Sequence, residues 1–443
     1  MRNAAAHAAL RRFCQDALAR IGRAAVERTE LATVGSLGSV QSSDGEVETC
    51  RAREVDWRQV ARDHLGDTES LPSWGEALAE IKADGRLSGR DCESEQPQRT
   101  IVELVFRLVC EQGGLDFREP SFDRVYQETE DYFYRDTVRY CFVGLLEGFQ
   151  MEAEEVALGA GLRIGKVPET LSRELLVETR GPMGVQMGDL VLIRHALLLD
   201  LEVQKQEDGE TYLRCPGDET PAIEIAWHRF WEVCTALHLF KGGAVRCDWI
   251  LPRPTMWVPT MTRRFHRTVS ASLPGEVYEL SRQEATRFQH FWTAYCASRA
   301  NMADTVDMAL RRLNVAYAQV SAEERLIDLM IGFEALLLGD EQALRYKLSM
   351  RGAALVGKDA DEREIIRDEL QAAYRQRNRI VHGGRAEGKP KIGEEKGVSL
   401  AELNSRVEGR LRAAIRKVMQ LEPRRSKAAL MNELDRQIPR GFE

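Results

Sequence analysis

The 443-residue chain lacks most of the short signatures by which a sequence declares its chemistry. Its nine cysteines (Cys14, Cys50, Cys92, Cys110, Cys141, Cys215, Cys234, Cys247 and Cys296) are scattered, odd in number and never spaced as C-x-x-C. That pattern argues against a disulfide framework and for a reducing cytoplasm. The eight histidines form neither H-x-x-x-H nor H-E-x-x-H, so the sequence supports no zinc site. No window offers about 18 uninterrupted apolar residues for a membrane span. The nearest, DLVLIRHALLLDLEV, is broken by Arg194, His195 and Asp200. The first residues lack the apolar core of a secretory signal. They are rich in Arg and Ala, as a transit peptide is, but Leu10, Phe13, Leu18 and Ile21 mark the buried side of a first helix.

A nucleotide loop is missing too. GAGLRIGK (Gly159 to Lys166) has the look of a phosphate-binding loop, yet Ala160 stands where a glycine is required and Val167 where Ser or Thr should follow the lysine. Gly165 is one residue late for a dinucleotide fingerprint, so the stretch is expected to be a β-turn. No metal or nucleotide cofactor is expected.

The net charge of −8 argues against a protein that coats nucleic acid by bulk electrostatics. The charge is unevenly placed, however. From Arg345 to Lys427 there are 21 Lys and Arg against 12 Asp and Glu, a net of +9 that leaves −17 for the remainder. A local basic face on an acidic protein can hold a polyanion, although an ordinary helical surface with surplus arginine has the same count.

The length suggests two or three domains. Residues 1–125 show helical patterning at Trp57–Leu65, Trp74–Ile81 and Thr100–Glu111, with a Gly- and Ser-rich linker or mobile loop at 33–49. Tyr126–Phe142 reads as a helix running into a strand. Residues 126–278 mix short β-rich runs, an Asp208–Gly209 turn signal and one helix near Ile223–Leu239. Residues 279–443 are helical almost throughout, with capping-box starts at Ser281/Glu284 and Ser321/Glu324 and a stop at Pro423. The expected fold is α+β and mostly α, with a C-terminal antiparallel helical bundle after a mixed β-rich domain and an N-terminal helical region.

Two places in the bundle stand out. Glu334 lies within the apolar helix IGFEALLLG, where a buried acid needs a partner. Arg351, or an arginine of the helix after it, is the candidate. The second place is YRQRNRIVHGGR, Tyr374 to Arg385, with four arginines and a histidine and no acid. Ile366, Leu370, Ala373 and Tyr374 mark the buried side of this helix, and the same spacing reaches Arg377 and Val381. Asn378 and His382 share a face at i, i+4. Gly383 and Gly384 close the helix, so His382 sits at the negative end of the dipole. Charges placed there satisfy a helix terminus, and they equally suit a phosphate.

The run IDLMIGFEALLLGD, then LRYKLSMRGAALVG, then AAYRQRNRIVHGG, resembles the Apea-like branch of the HEPN superfamily over about Ser281–Leu421. The signature of that superfamily, Arg, a polar residue, three further positions and His, falls on Arg377, Asn378 and His382. A weaker echo lies upstream, in GFQMEAEEVALGAGLRI and ALHLFKGGAV. The resemblance implies a HEPN-type bundle that pairs as a homodimer and acts as a metal-independent endoribonuclease on RNA. It implies catalytic roles for Arg377, Asn378 and His382, phosphate contacts from Arg375, Arg379 and Arg385, and support from Glu334, Arg351 and Tyr374. It further implies a toxin or an anti-phage abortive-infection effector in the cytoplasm, with the upstream part sensing a phage or host trigger. A non-catalytic module that grips RNA or protein is the alternative, as is an antitoxin-like regulator whose arginines only satisfy helix ends.

Overall fold

The computed structural model describes residues 2–27, 33–41, 47–87, 96–172, 193–205, 215–217, 220–258, 266–267, 277–299, 302–339, 342–395, 397–420 and 426–438. It is a mostly α, α+β protein. The amino-terminal part is built from α1 (Ala4–Glu27), α2 (Trp57–Leu65), α3 (Trp74–Ala83), α4 (Gln96–Gln112) and α5 (Glu119–Tyr134). Leu10, Phe13, Leu18 and Ile21 of α1 are buried, as their spacing predicts, against Ile101, Val105 and Leu108 of α4 and Phe122 and Tyr126 of α5.

Two expectations for this part change. The stretch read as a linker or mobile loop at 33–49 contributes to a two-stranded antiparallel ribbon. Its strands are β1 (Thr33–Gln41) and β2 (Val47–Val55), with Thr33 opposite Val55 and Gln41 opposite Val47. A ladder is made by backbone amides and carbonyls, so a Gly- and Ser-rich segment can pair without the apolar alternation by which strands are read. The boundary placed at 125/126 falls inside α5. Phe122, Val125, Tyr126 and Phe133 all pack in the amino-terminal core, which therefore runs on to the end of that helix.

Next comes a six-stranded antiparallel sheet, in the order β5-β6-β7-β3-β8-β9. Its strands are β3 (Thr137–Glu147), β5 (Glu155–Gly159), β6 (Leu162–Lys166), β7 (His195–Gln204), β8 (Arg246–Pro254) and β9 (His266–Arg267). The GAGLRIGK stretch is the hairpin between β5 and β6, turning through Ala160 and Gly161, both at positive φ as a tight hairpin requires. The Asp208–Gly209 turn lies outside the described residues, as does Pro423. A short β4 (Phe149–Met151) pairs in parallel with β10 (Tyr278–Leu280). One face of the six-stranded sheet is covered by α6 (Ala222–Phe240) and α7 (Arg282–Arg299). α7 opens with a reciprocal capping box, Glu284 N–H to Ser281 Oγ and Ser281 N–H to Glu284 Oε2.

The remaining helices are α8 (Asp304–Ala318), α9 (Ala322–Leu337), α10 (Leu344–Val356), α11 (Ala360–Val381), α12 (Leu400–Gln420) and α13 (Lys427–Gln437). Their core is continuous with that of the sheet: Phe142, Leu197 and Phe230 belong to the same apolar cluster as Phe333, Leu370 and Leu411. The regions expected at 126–278 and 279–443 thus share one core. α10 and α11 run antiparallel, with Gly357 against Arg363 and Gly352 against Leu370. A Cβ at position 352 would lie 2.4 Å from Leu370 Cδ1, so a larger residue there must displace the Leu370 side chain.

A buried polar junction ties α6 to the helices beyond it. The Glu408 carboxylate on α12 accepts from Tyr317, Arg325 and Arg412. Arg412 also donates to the Tyr317 hydroxyl (2.6 Å) and to the His238 carbonyl of α6 (2.6 Å). The His238 ring stacks on Tyr317 with centroids 3.9 Å apart and meets Asn314 Oδ1 at 2.9 Å. Burial, which raises a carboxyl pKa, is overcome at Glu408 by Arg412, Tyr317 and Arg325, so its pKa is lowered. Burial pushes the His238 imidazole down to about 4.

Candidate functional site

α11 carries the site. Asp359 caps its start by accepting from the Glu362 amide, and Ile366, Leu370, Ala373 and Tyr374 form its buried stripe. Each buried Ile or Leu contributes about 2 kcal/mol, which is what holds this otherwise polar helix in place. The stripe leads to Arg377, whose side chain is only 22% exposed. Val381 continues the spacing but is 51% exposed at the end of the helix, while Ile380 beside it still packs against the core.

The end is a Schellman turn around His382, the C-cap residue. The Gly383 amide donates to the Ile380 carbonyl (2.9 Å) and the Gly384 amide to the Arg379 carbonyl (2.8 Å). Gly383 has φ +85°, which penalises any side chain, and a Cβ at Gly384 would lie 3.0 Å from the Arg379 carbonyl oxygen. His382 is thereby held just past the last helical residue, with its amide bonded to the Asn378 carbonyl (3.0 Å). The imidazole is exposed, and none of the described residues hydrogen-bonds it.

Arg377 is braced from three sides. Nη2 donates to Glu334 Oε2 on α9 (3.3 Å), Nη1 donates to Asn378 Oδ1 (3.1 Å), and the guanidinium lies 5.9 Å from the centre of the Tyr374 ring. Its Nε is buried and meets no acceptor among the described residues. Burial raises the Glu334 pKa, with Arg377 opposing it. Burial and the Glu334 charge raise that of Tyr374, partly offset by Arg377 and by a hydrogen bond from Asn378. Glu334, Arg377, Asn378 and Tyr374 therefore form one connected group near the end of α11.

The other candidates are placed differently. Arg351, expected as a mate for Glu334, is buried elsewhere. It makes a two-pronged pair with Asp435 of α13 (2.7 Å and 2.7 Å) and donates to the Leu337 carbonyl (2.8 Å). A desolvated guanidinium needs acceptors, and Asp435 and the end of α9 supply them here. Arg375 is exposed and donates to the Lys391 carbonyl (3.2 Å). Arg379 is exposed and paired with Glu387 (2.8 Å), and Arg385 is exposed. At Ser321 the hydroxyl accepts from the Glu323 and Glu324 amides, while the Glu323 carboxylate turns away to accept the Ala386 amide (2.8 Å).

Gln376 and Glu387, which bond to each other beside Arg379, were not singled out from the sequence. The signal available was slight: Gln376 falls on the buried side of α11, and Glu387 is the first acid after the arginine run. Among the described residues no group of three or more His, Cys, Asp or Glu side chains is gathered as metal ligands would be, and no helix is long and apolar enough to cross a membrane. No protein-family model, no curated protein and no solved structure matches this chain.

Proposed function

We propose that this protein is a metal-independent endoribonuclease of the HEPN type, with Arg377 and His382 as its catalytic pair. The observation that carries this reading is the contrast between the two residues. Arg377 is held by Glu334, Asn378 and Tyr374, and His382 stands exposed five residues further along, at the end of the same helix. The segment around them has a net charge of +9, which suits a polyanionic substrate.

The chemistry follows from the residue types. The ribose 2′-oxygen attacks the adjacent phosphorus and gives its proton to a base. The bond from phosphorus to the 5′-oxygen breaks, and that oxygen takes a proton from an acid. The products are a 2′,3′-cyclic phosphate and a free 5′-hydroxyl. An imidazole titrating near neutrality serves either role. Two subunits of a homodimer supply one histidine for each. Arg377 stabilises the charge that gathers on the phosphorane oxygens, and its brace means little reorganisation is needed when that charge appears. Asn378 orients Arg377, while Arg375, Arg379 and Arg385 contact flanking phosphates. The reading extends to a cytoplasmic toxin or abortive-infection effector in which the sheet and amino-terminal helices respond to a phage or host trigger.

One observation favours a second reading. The Glu334 carboxylate already neutralises Arg377, as suits a module that binds RNA or protein without cutting it. Purified protein, Arg377→Ala and His382→Ala incubated with labelled total RNA and tRNA in excess EDTA decide between them. Cleavage leaving 2′,3′-cyclic phosphate ends, reduced about 100-fold or more in both variants while they stay folded, is the expected result. RNA that is bound but left intact by folded, dimeric wild type, with toxicity unchanged in His382→Ala, overturns the enzyme in favour of the binding module.

A further inference from the structure

The chain leaving His382 turns at Gly383–Gly384 and folds back along α11. The Ala386 amide donates to Glu323 Oε1 (2.8 Å) on α9, and the Glu387 amide donates to Gln376 Oε1 (2.9 Å). The Glu387 carboxylate then accepts from two donors of α11: Arg379 Nη1 reaches Oε1 (2.8 Å) and Gln376 Nε2 reaches Oε2 (3.2 Å). Gln376 is 4% exposed, and Glu387 engages both ends of its amide, so Nε2 is fixed in direction. A guanidinium N–H and a fixed amide N–H, each aimed at one oxygen of the same anion, are a donor set that fits two oxygens of a phosphodiester equally well.

We propose that Gln376 and Arg379 form a phosphodiester site for single-stranded RNA beside Arg377 and His382, and that Glu387 is its built-in occupant. RNA as the ligand rests on the ribonuclease reading; the site itself rests on these four hydrogen bonds. The Arg379–Glu387 pair is 53% and 51% exposed, and pairs so exposed are weak and easily exchanged. The two backbone bonds from Ala386 and Glu387 do not involve the carboxylate. Rotation of one side chain therefore vacates the site while the strap stays in place. A phosphate that enters replaces one negative charge by another and leaves the carboxylate in water. Glu387 is thus a competitor of substrate with no part in the chemical step.

The test uses the full chain as wild type, Glu387→Gln, Arg379→Ala and the double variant. Binding of a fluorescent single-stranded RNA with every 2′-hydroxyl methylated, and therefore uncleavable, is followed by anisotropy across a salt series. Cleavage of its unmethylated counterpart is measured in parallel. Glu387→Gln keeps the shape of the side chain and removes its charge. The expected gain is about two- to fivefold in affinity, the size of an exposed ion pair. The salt dependence should steepen by about 0.7 in log–log slope, one further phosphate contact on a single strand. KM should fall by the same factor at constant kcat, and the gain should vanish in the Arg379→Ala background.

Unchanged or weaker binding in Glu387→Gln, an equal gain without Arg379, or no binding by any of the four proteins overturns the site. Cleavage that depends on His382 alongside an unmoved KM overturns the site and leaves the ribonuclease reading standing. A gain that depends on Arg379, with unmethylated RNA left uncut, does the reverse.

Discussion

Two arginine-rich places on adjacent helices differ in what surrounds the guanidinium. At Glu408 of α12, Arg325 and Arg412 converge with Tyr317 on a single buried carboxylate, and Arg412 is further bound to the His238 carbonyl. At the end of α11, Arg375, Arg379 and Arg385 are exposed, Arg377 is partly buried, and the His382 imidazole makes no hydrogen bond with any described residue. The first arrangement is internally complete. The second sets its arginines at a helix end, where the carbonyl dipole favours cations, and Glu334 and Glu387 match Arg377 and Arg379 at an edge open to water. Charge count alone does not separate the two, since Glu408 and Arg412 lie in the same basic segment, Arg345–Lys427, as the end of α11. The difference lies in burial: the Glu408 carboxylate is enclosed with its arginines, whereas the Arg379–Glu387 pair at the end of α11 is half exposed to water.

The most severe way to break the contrast is Glu408→Ala. Removing the acid leaves Arg325 and Arg412 without their shared partner at the seam between α6 and the later helices. Breaking a buried pair from one side costs about 3–5 kcal/mol. Urea unfolding should show that loss, together with looser packing of α6. A cost below about 1 kcal/mol would mean that the junction is solvated and is no different in kind from the end of α11.

Acid should sharpen the contrast. His238 is neutral in the folded protein, with its pKa pushed down to about 4 from an ordinary value of 6.5. A group depressed in this way contributes stability that is complete above pH 6.5 and is lost as pH falls toward 4. The shift corresponds to about 3 kcal/mol. Glu408, also depressed, adds to the loss with the same sign as pH falls below the ordinary carboxylate range. Denaturation at pH 7 and pH 4.5 should differ by about 2–3 kcal/mol, most of it removed by His238→Asn. Equal stability at the two pH values would show that His238 is accessible to water.

The sequence disclosed these two places unequally. Helix positions were legible wherever apolar spacing was strong. Trp57–Leu65 is α2 as read, Ile223–Leu239 lies within α6, and the stripe from Ile366 to Tyr374 is the buried face of α11. The closing role of Gly383 and Gly384 was legible for a local reason, since a Schellman turn is written in adjacent residues. The mate of Glu334 was not fixed by sequence. Arg351 and Arg377 are both reachable by a long side chain, and only tertiary packing sends the first to Asp435 and the second to Glu334. The Glu408 junction was missed because its members come from four helices and include a histidine with no motif around it. The β1–β2 ribbon was missed because backbone pairing leaves no apolar period to read.

The smallest expected effect on stability is also the one that tests the contrast most directly. His382→Ala removes a side chain that is exposed and makes no hydrogen bond with any described residue, so unfolding should move by no more than about 0.5 kcal/mol. The backbone bonds of the turn are made by amides and carbonyls and survive the change. If His382 served only to complete the helix end through its charge, the variant would lose the 0.3–1 kcal/mol typical of a dipole interaction, and the loss would shrink in high salt. A stability that stays level in low and high salt, beside an RNA phenotype that disappears, places the role of His382 outside the fold. A salt-sensitive loss of stability with RNA handling unchanged makes the end of α11 another structural terminus, and the contrast with Glu408 closes.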